Sequence, residues 1–91
     1  MRKNRNEAQI IFELLDSINS GNTQISSLLR KVNIPFNKYQ DLIQQLKERD
    51  MVKITQEENK NSLELTVKGK EFLEQYRKFS KLMVSSYGLN L

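Results

Sequence analysis

Asn37, Gln40, Asp41 and Gln44 stand at positions i, i+3, i+4 and i+7, the spacing that gathers side chains on one face of an α-helix. A carboxamide offers a donor and an acceptor side by side, which matches the N6/N7 edge of adenine. A carboxylate accepts from the N4 amino group of cytosine. Such a row can read base edges, and it is equally what an ordinary solvated helix face carries. Lys31, Lys38, Lys53 and Lys60 could meet phosphates around that face or serve as solubilising surface residues. The cleanest charge signal lies elsewhere. Residues 1–6 carry Arg2, Lys3 and Arg5 and no acid, while the whole chain has a formal charge of +4. The arm reads either as a solvated, frayed terminus or as a segment reaching phosphates or a minor groove.

Catalysis has little to work with. The chain has 91 residues, no His and no Cys. That removes the commonest general base, the commonest zinc ligand, a thiolate nucleophile and any disulfide scaffold. The acidic residues show no metal-ligand or paired-carboxylate spacing, and no glycine-rich phosphate loop is present. No metal, cofactor or enzymatic role is expected. No apolar run exceeds three residues, so neither a membrane span nor a signal-peptide core is expected. The length allows one small domain, and a hydrophobic fraction of 37% implies a lean core. A soluble, intracellular, mildly basic binding domain is the starting expectation.

The elements that must position the polar row follow from periodicity. Ile10, Ile11, Leu14, Leu15 and Ile18 recur at helical spacing, so a helix is expected over Glu7–Ser20, stopped by Gly21. Phe12 falls off that stripe and must be partly exposed or covered from outside the helix. Thr23 is placed to cap a second helix of about nine residues with Ile25, Leu28, Leu29 and Val32 as its apolar face. Pro35 suits the first turn of a third helix, from Phe36 to about Arg49. Tyr39, Leu42, Ile43 and Leu46 form the inner face of that helix. Asn37, Gln40, Asp41, Gln44 and Glu48 lie opposite, with Lys38 and Gln45 to one flank. Two helices joined by a short turn, the second polar outside, match a helix-turn-helix pattern.

The period then changes. Val52 and Ile54, and later Leu63 and Leu65, alternate with polar residues and predict two half-buried strands, with residues 56–61 as the hairpin tip. Thr66 is placed to cap a last helix from Val67 to about Ser85. Phe72, Tyr76, Phe79 and Met83 fall on it at steps of four, three and four, and Leu73 and Leu82 widen the stripe. A narrow seam of that kind suits a helix-helix zipper. Tyr87, near Gly88, is expected in a loose tail.

Several segments then resemble a known family. Asn33-Ile34-Pro35-Phe36, with Tyr39, Leu42, Ile43, Leu46 and Met51-Val52, is similar to the recognition-helix segment of small archaeal winged-helix proteins. Leu65-Thr66-Val67-Lys68-Gly69-Lys70-Glu71-Phe72-Leu73, followed by Tyr76-Arg77-Lys78, is similar to their wing-to-last-helix segment. The resemblance covers roughly Glu7 to Leu82. It implies a mainly α fold with a small β-hairpin: a winged helix-turn-helix with an extended C-terminal helix. It further implies double-stranded DNA binding, as a transcription regulator or nucleoid-associated protein, and dimerisation through the last helix. Two departures stand out: Asp50 occupies a position where the family usually has Gly, and Glu57 and Glu58 lie at the hairpin tip.

The expected organisation is a flexible basic arm (1–6), a winged-helix domain (7–66) and a C-terminal dimerisation helix with tail (67–91). The expected DNA contacts are Arg2, Lys3, Arg5, Lys31, Asn37, Lys38, Gln40, Asp41, Gln44 and Lys60. The expected homodimer contacts are Phe72, Leu73, Tyr76, Phe79 and Met83. The protein is expected in the cytoplasm, on the nucleoid. The near-neutral body and acidic hairpin tip keep a second class open, a winged-helix module whose third helix meets a protein.

Overall fold

The computed structural model describes residues 6–22, 24–57 and 60–89. The elements follow one another as helix, helix, helix, hairpin, helix, the order expected from the sequence. Arg2, Lys3, Arg5, Thr23 and Glu58 lie outside the described residues, as do the side chains of Glu57 and Lys60.

Helix α1 (Glu7–Asn19) opens with a reciprocal cap. The Asn6 side chain accepts from the Gln9 N–H at 2.8 Å, and the Gln9 side chain accepts from the Asn6 N–H at 2.9 Å, which satisfies two otherwise orphaned donors. Ile11, Leu14, Leu15 and Ile18 are buried, as their spacing requires. Ile10 is only partly buried against the core. Ser20 and Gly21 close the helix, Gly21 with φ +93°, a conformation that residues with a Cβ resist.

Helix α2 (Ile25–Val32) starts at Gln24 with no side-chain cap. Leu28 and Val32 are buried and Leu29 packs partly on the core. Ile25 departs from the expected apolar face: it lies in the first turn, before the helix reaches the core, and remains exposed. Asn33 takes the left-handed conformation, φ 60°, and its N–H donates to Leu29 O at 2.8 Å. That bond closes α2 and leaves Ile34 buried.

Helix α3 (Phe36–Glu48) has Pro35 as its N-cap, with φ −73° and ψ 159°. Pro35 therefore precedes the first turn rather than lying within it. Its carbonyl accepts from the Tyr39 N–H at 3.1 Å, and its missing N–H costs nothing there. Tyr39, Leu42, Ile43 and Leu46 are buried. After the helix, Asp50 adopts φ 59°. Asp tolerates this region better than most side chains, so the turn that the family makes with Gly survives the exchange.

Strands β1 (Val52–Glu57) and β2 (Lys60–Leu65) pair antiparallel, with Val52 opposite Leu65, Ile54 opposite Leu63 and Glu57 opposite Lys60. The ladder runs further than hydrophobic alternation suggests: residues 56, 57, 60 and 61, expected at the tip, belong to the strands. Backbone pairing needs no apolar side chain to continue. Burial stops earlier. Val52, Leu63 and Leu65 are buried, whereas Ile54, opposite Leu63, is exposed: α1 and α4 pack on β2, so the core position at this level is filled from that strand.

Helix α4 (Val67–Tyr87) is clasped to the root of the hairpin. Thr66 caps it by accepting from the Gly69 N–H at 3.1 Å, and its hydroxyl donates to Asp50 O at 2.5 Å. The Thr66 N–H donates to Met51 O at 3.1 Å. Gly69 makes the close approach possible, since a Cβ there would lie 2.1 Å from Met51 O. The helix continues to Tyr87, past the expected end near Ser85. Gly88 closes it at φ 66°, with N–H bonds from Gly88 to Val84 O and from Leu89 to Met83 O, a left-handed cap. Tyr87 is thus helical rather than part of a loose tail.

α1 is the hub, packed against α2, α4 and β2, while α3 packs on β1. One cluster of apolar side chains, from Ile11 on α1 to Leu73 on α4, forms the core.

Candidate nucleic-acid interface

Burial of the Tyr39, Leu42, Ile43 and Leu46 seam fixes the rotation of α3 about its axis. The consequence is that Asn37, Gln40, Asp41, Gln44 and Glu48 are all exposed. Lys38 and Gln45 are half-buried at the flank, as their helical angles require. The four polar residues singled out by spacing therefore do share one solvent-facing surface. They differ in their freedom. Gln44 Nε2 donates to Glu48 Oε1 at 3.2 Å, so one of its donors is engaged along the helix. Asn37, Gln40 and Asp41 have no side-chain partner among the described residues.

The cations sort in the same way. Lys53 lies 3.7 Å from Glu64 across the hairpin, Lys78 pairs with Glu74 at 3.2 Å within α4, and Arg77 pairs with Asp16 between α4 and α1. Arg30 and Lys31, exposed in the last turn of α2, and Lys38 on α3 form no ion pair among the described residues. These three are available to anions, whereas Lys53 is partly neutralised. Burial pushes the Tyr39 phenol above its ordinary value, so this ring adds no negative charge beneath α3.

Two exposed residues of the helix pair escaped the sequence reading. Arg30 is one; its signal is its place next to Lys31 at the end of α2. Phe36 is the other. It is 47% exposed, with its ring 6.1 Å from that of Tyr39 and 20° from parallel. Its helical angle, about 40° from Gln40 at 100° per residue, could have marked it.

The expected dimer seam divides in two. Leu73 is 1% exposed in the core of its own chain, so it has no surface to offer a second copy. Phe72 packs partly on that core, its ring 5.9 Å from Tyr76, and Tyr76 stacks on Phe12 at 4.5 Å. Phe12, off the stripe of α1, is thus covered from outside its helix. Burial, then the nearby Glu13 carboxylate, raise the pKa of Tyr76. Beyond Tyr76 the helix face opens. Phe79, Leu82, Val84 and Tyr87 are each about half or more exposed and Met83 is half-buried.

No described helix is long and apolar enough to cross a membrane, and no described group of three His, Cys, Asp or Glu side chains could hold a metal.

Comparison with known proteins adds the following. The fold is similar to that of Sso10a-2, a DNA-binding protein from Sulfolobus solfataricus, with a TM-score of 0.73 and 24% identity, over 92% of this chain and 87% of that one. It is also similar to that of BpsR from Bordetella bronchiseptica, whose DNA binding is regulated by 6-hydroxynicotinic acid. There the TM-score is 0.68 and the identity 20%, over 93% of this chain and 64% of BpsR; the chain spans just under two thirds of BpsR. No curated protein sequence matches it. The winged helix-turn-helix family profile matches residues 4–84, from before α1 to within the last turn of α4, and the protein belongs to that family.

Proposed function

We propose that the protein binds double-stranded DNA, as a transcription regulator or nucleoid-associated protein without enzymatic activity, with α3 in the major groove. The observation that carries this reading is the outer face of α3. Asn37, Gln40 and Asp41 are exposed there without described side-chain partners, with Lys38 on the flank of the same helix, and Lys38 and the α2 cations Arg30 and Lys31 form no described ion pair. A groove about 12 Å wide admits one helix, whose N-terminal half reaches deepest. That half holds Asn37 and Gln40 as base readers and Lys38 as a phosphate contact; Gln44 joins them once it leaves Glu48. The DNA-binding relatives of the same fold support the reading, and so does the family.

In this reading the protein acts as a homodimer through the exposed stretch of α4, with Phe79, Leu82 and Met83 in the contact and Phe72 and Tyr76 at its margin. The arm residues Arg2, Lys3 and Arg5 add affinity without sequence choice, each neutralised phosphate steepening the dependence of log affinity on log salt by about 0.9.

One observation favours a second reading, a protein-interaction module. Asp41 and Glu48 put negative charge on the same helix face, which a protein surface accepts more readily than phosphates do.

A mobility-shift titration on duplex DNA at several salt concentrations separates the two. Micromolar or tighter binding, with a steep salt slope that flattens when residues 1–6 are deleted, supports the DNA reading. Absence of binding at low salt overturns it.

A further inference from the structure

Phe36 is an unusual residue to find half exposed. It opens α3, directly after Pro35, and its ring lies nearly parallel to that of the buried Tyr39, 6.1 Å away. The Phe36 ring, in the first turn, is therefore anchored beside a core residue while 47% of the residue stays exposed to solvent. Contrast Phe12, which lies off its helix stripe and which Tyr76 covers at 4.5 Å; Phe36 stands at the edge of its stripe and stays exposed.

Phe36 also shares an edge with Gln40. The two stand one turn apart, about 40° in helical angle and about 6 Å along the axis. Base pairs stack about 3.4 Å apart, so residues so placed meet base pairs within about two steps of each other. The major groove offers one apolar group to such a ring, the 5-methyl of thymine, and apolar side chains including Phe read it by contact.

We infer that Phe36 is a specificity-determining residue of α3 that packs its exposed ring on a thymine 5-methyl group, while Gln40 pairs with an adenine within about two base pairs of it. The inference rests on the major-groove reading above. It gives the protein a preference for A·T pairs at the position under the N-terminus of α3. Carboxamides at Asn37 and Gln40 favour adenine, and the ring beside them favours thymine, so the three side chains agree.

The experiment uses the full chain. Duplexes are selected from a random pool, and each thymine of the preferred site is replaced in turn by deoxyuridine, which lacks only the methyl group. Burial of one methyl-sized group corresponds to about a fourfold change in affinity. The expected result is a loss of about that size at one position per half-site. Phe36→Ala should weaken binding to the thymine duplex by at least as much and abolish the deoxyuridine penalty; Phe36→Leu should keep part of it. A circular-dichroism melt checks that both variants fold; if Phe36→Ala does not, the Phe36→Leu penalty decides, and one equal to wild type overturns the assignment. A selected site indifferent to every thymine methyl, or a penalty that survives Phe36→Ala intact, overturns the role of Phe36 and leaves the groove reading standing. A pool that yields no preferred sequence overturns both base readout and this inference. No binding to any duplex, with the α3 face instead required for a protein partner, removes the DNA reading itself.

Discussion

The rings of Phe12 and Tyr76 stack with centroids 4.5 Å apart and planes 19° from parallel, tying the first helix to the last. Arg77, one residue on, reaches back over the Phe12 ring at 6.0 Å and pairs with Asp16. A stacked pair contributes about 0.5–1.5 kcal/mol beyond its buried area. The ion pair adds little, since both side chains are roughly half exposed and exposed pairs contribute about 1 kcal/mol at most.

Phe12→Ala and Tyr76→Ala are each expected to cost about 2 kcal/mol, less than a fully buried aromatic. The double variant should show a coupling of about 1 kcal/mol. Urea unfolding of the four proteins measures it. A coupling near zero would mean that the rings share burial without interacting.

Gly69→Ala should destabilise the protein by about 3 kcal/mol, the range of an overpacked core site. The sign is informative. In an open helix interior the same change gains about 1 kcal/mol from helix propensity. Here the new Cβ would lie 2.1 Å from Met51 O and 3.3 Å from Leu65 Cγ, and the first of these is backbone. A thermal melt that rises on substitution would show that α4 can move away from the turn after α3.

How much of this was legible in sequence depends on what each residue answers to. The three helix-turn-helix elements were legible because Leu14 and Ile18, Leu28 and Val32, and Leu42 and Leu46 each stand four apart within one helix and are buried. The left-handed turn at Asp50 was legible only through the resemblance, which puts Gly at that position. The outer face of α3 followed from its inner face. Other features answer to tertiary neighbours, which local spacing cannot carry. Leu73 belongs to the seam of α4 by spacing, yet the core absorbs it, because only the N-terminal half of α4 has the domain beneath it. Ile54 alternates correctly and is still exposed, while Leu63 opposite it is buried, because α1 and α4 pack on β2. Phe36 has the wrong type for a base reader and the right position, so a search for polar residues passes over it.

On a preferred DNA site, Gln40→Ala is expected to cost about 1–3 kcal/mol and to change random-sequence binding little. Lys38→Ala should weaken both about equally. Gln44→Ala should cost less than Gln40→Ala, because Gln44 must first give up its bond to Glu48. Competition titrations on specific and random duplexes give all three. Equal losses for Gln40→Ala and Lys38→Ala on random DNA would remove the assignment of bases to one and phosphate to the other.

Sedimentation at micromolar concentration should show a dimer, and Phe79→Asp should convert it to a folded monomer. Leu73→Asp should behave differently and unfold the chain, since that residue lies in the core. The two variants together separate association from folding. A wild-type monomer at these concentrations would defeat the dimer reading.

The four helices do not start alike. α1 and α4 open on side-chain caps from Asn6 and Thr66, whereas α2 and α3 open on Gln24 and Pro35 with none. Uncapped first-turn amides keep water as their partner, so these two turns should open at low free energy and trade their amide protons with solvent well before the rest of the helices. The free protein then carries its looseness in the helix pair that the proposed function sends to DNA, and its rigidity in the pair that frames it. A partner that engages only the closed form must spend part of its interaction energy on ordering these turns. The same linkage makes the bound protein harder to unfold, so affinity and heat resistance should rise together, and amide exchange in the first turns of α2 and α3 should slow on binding.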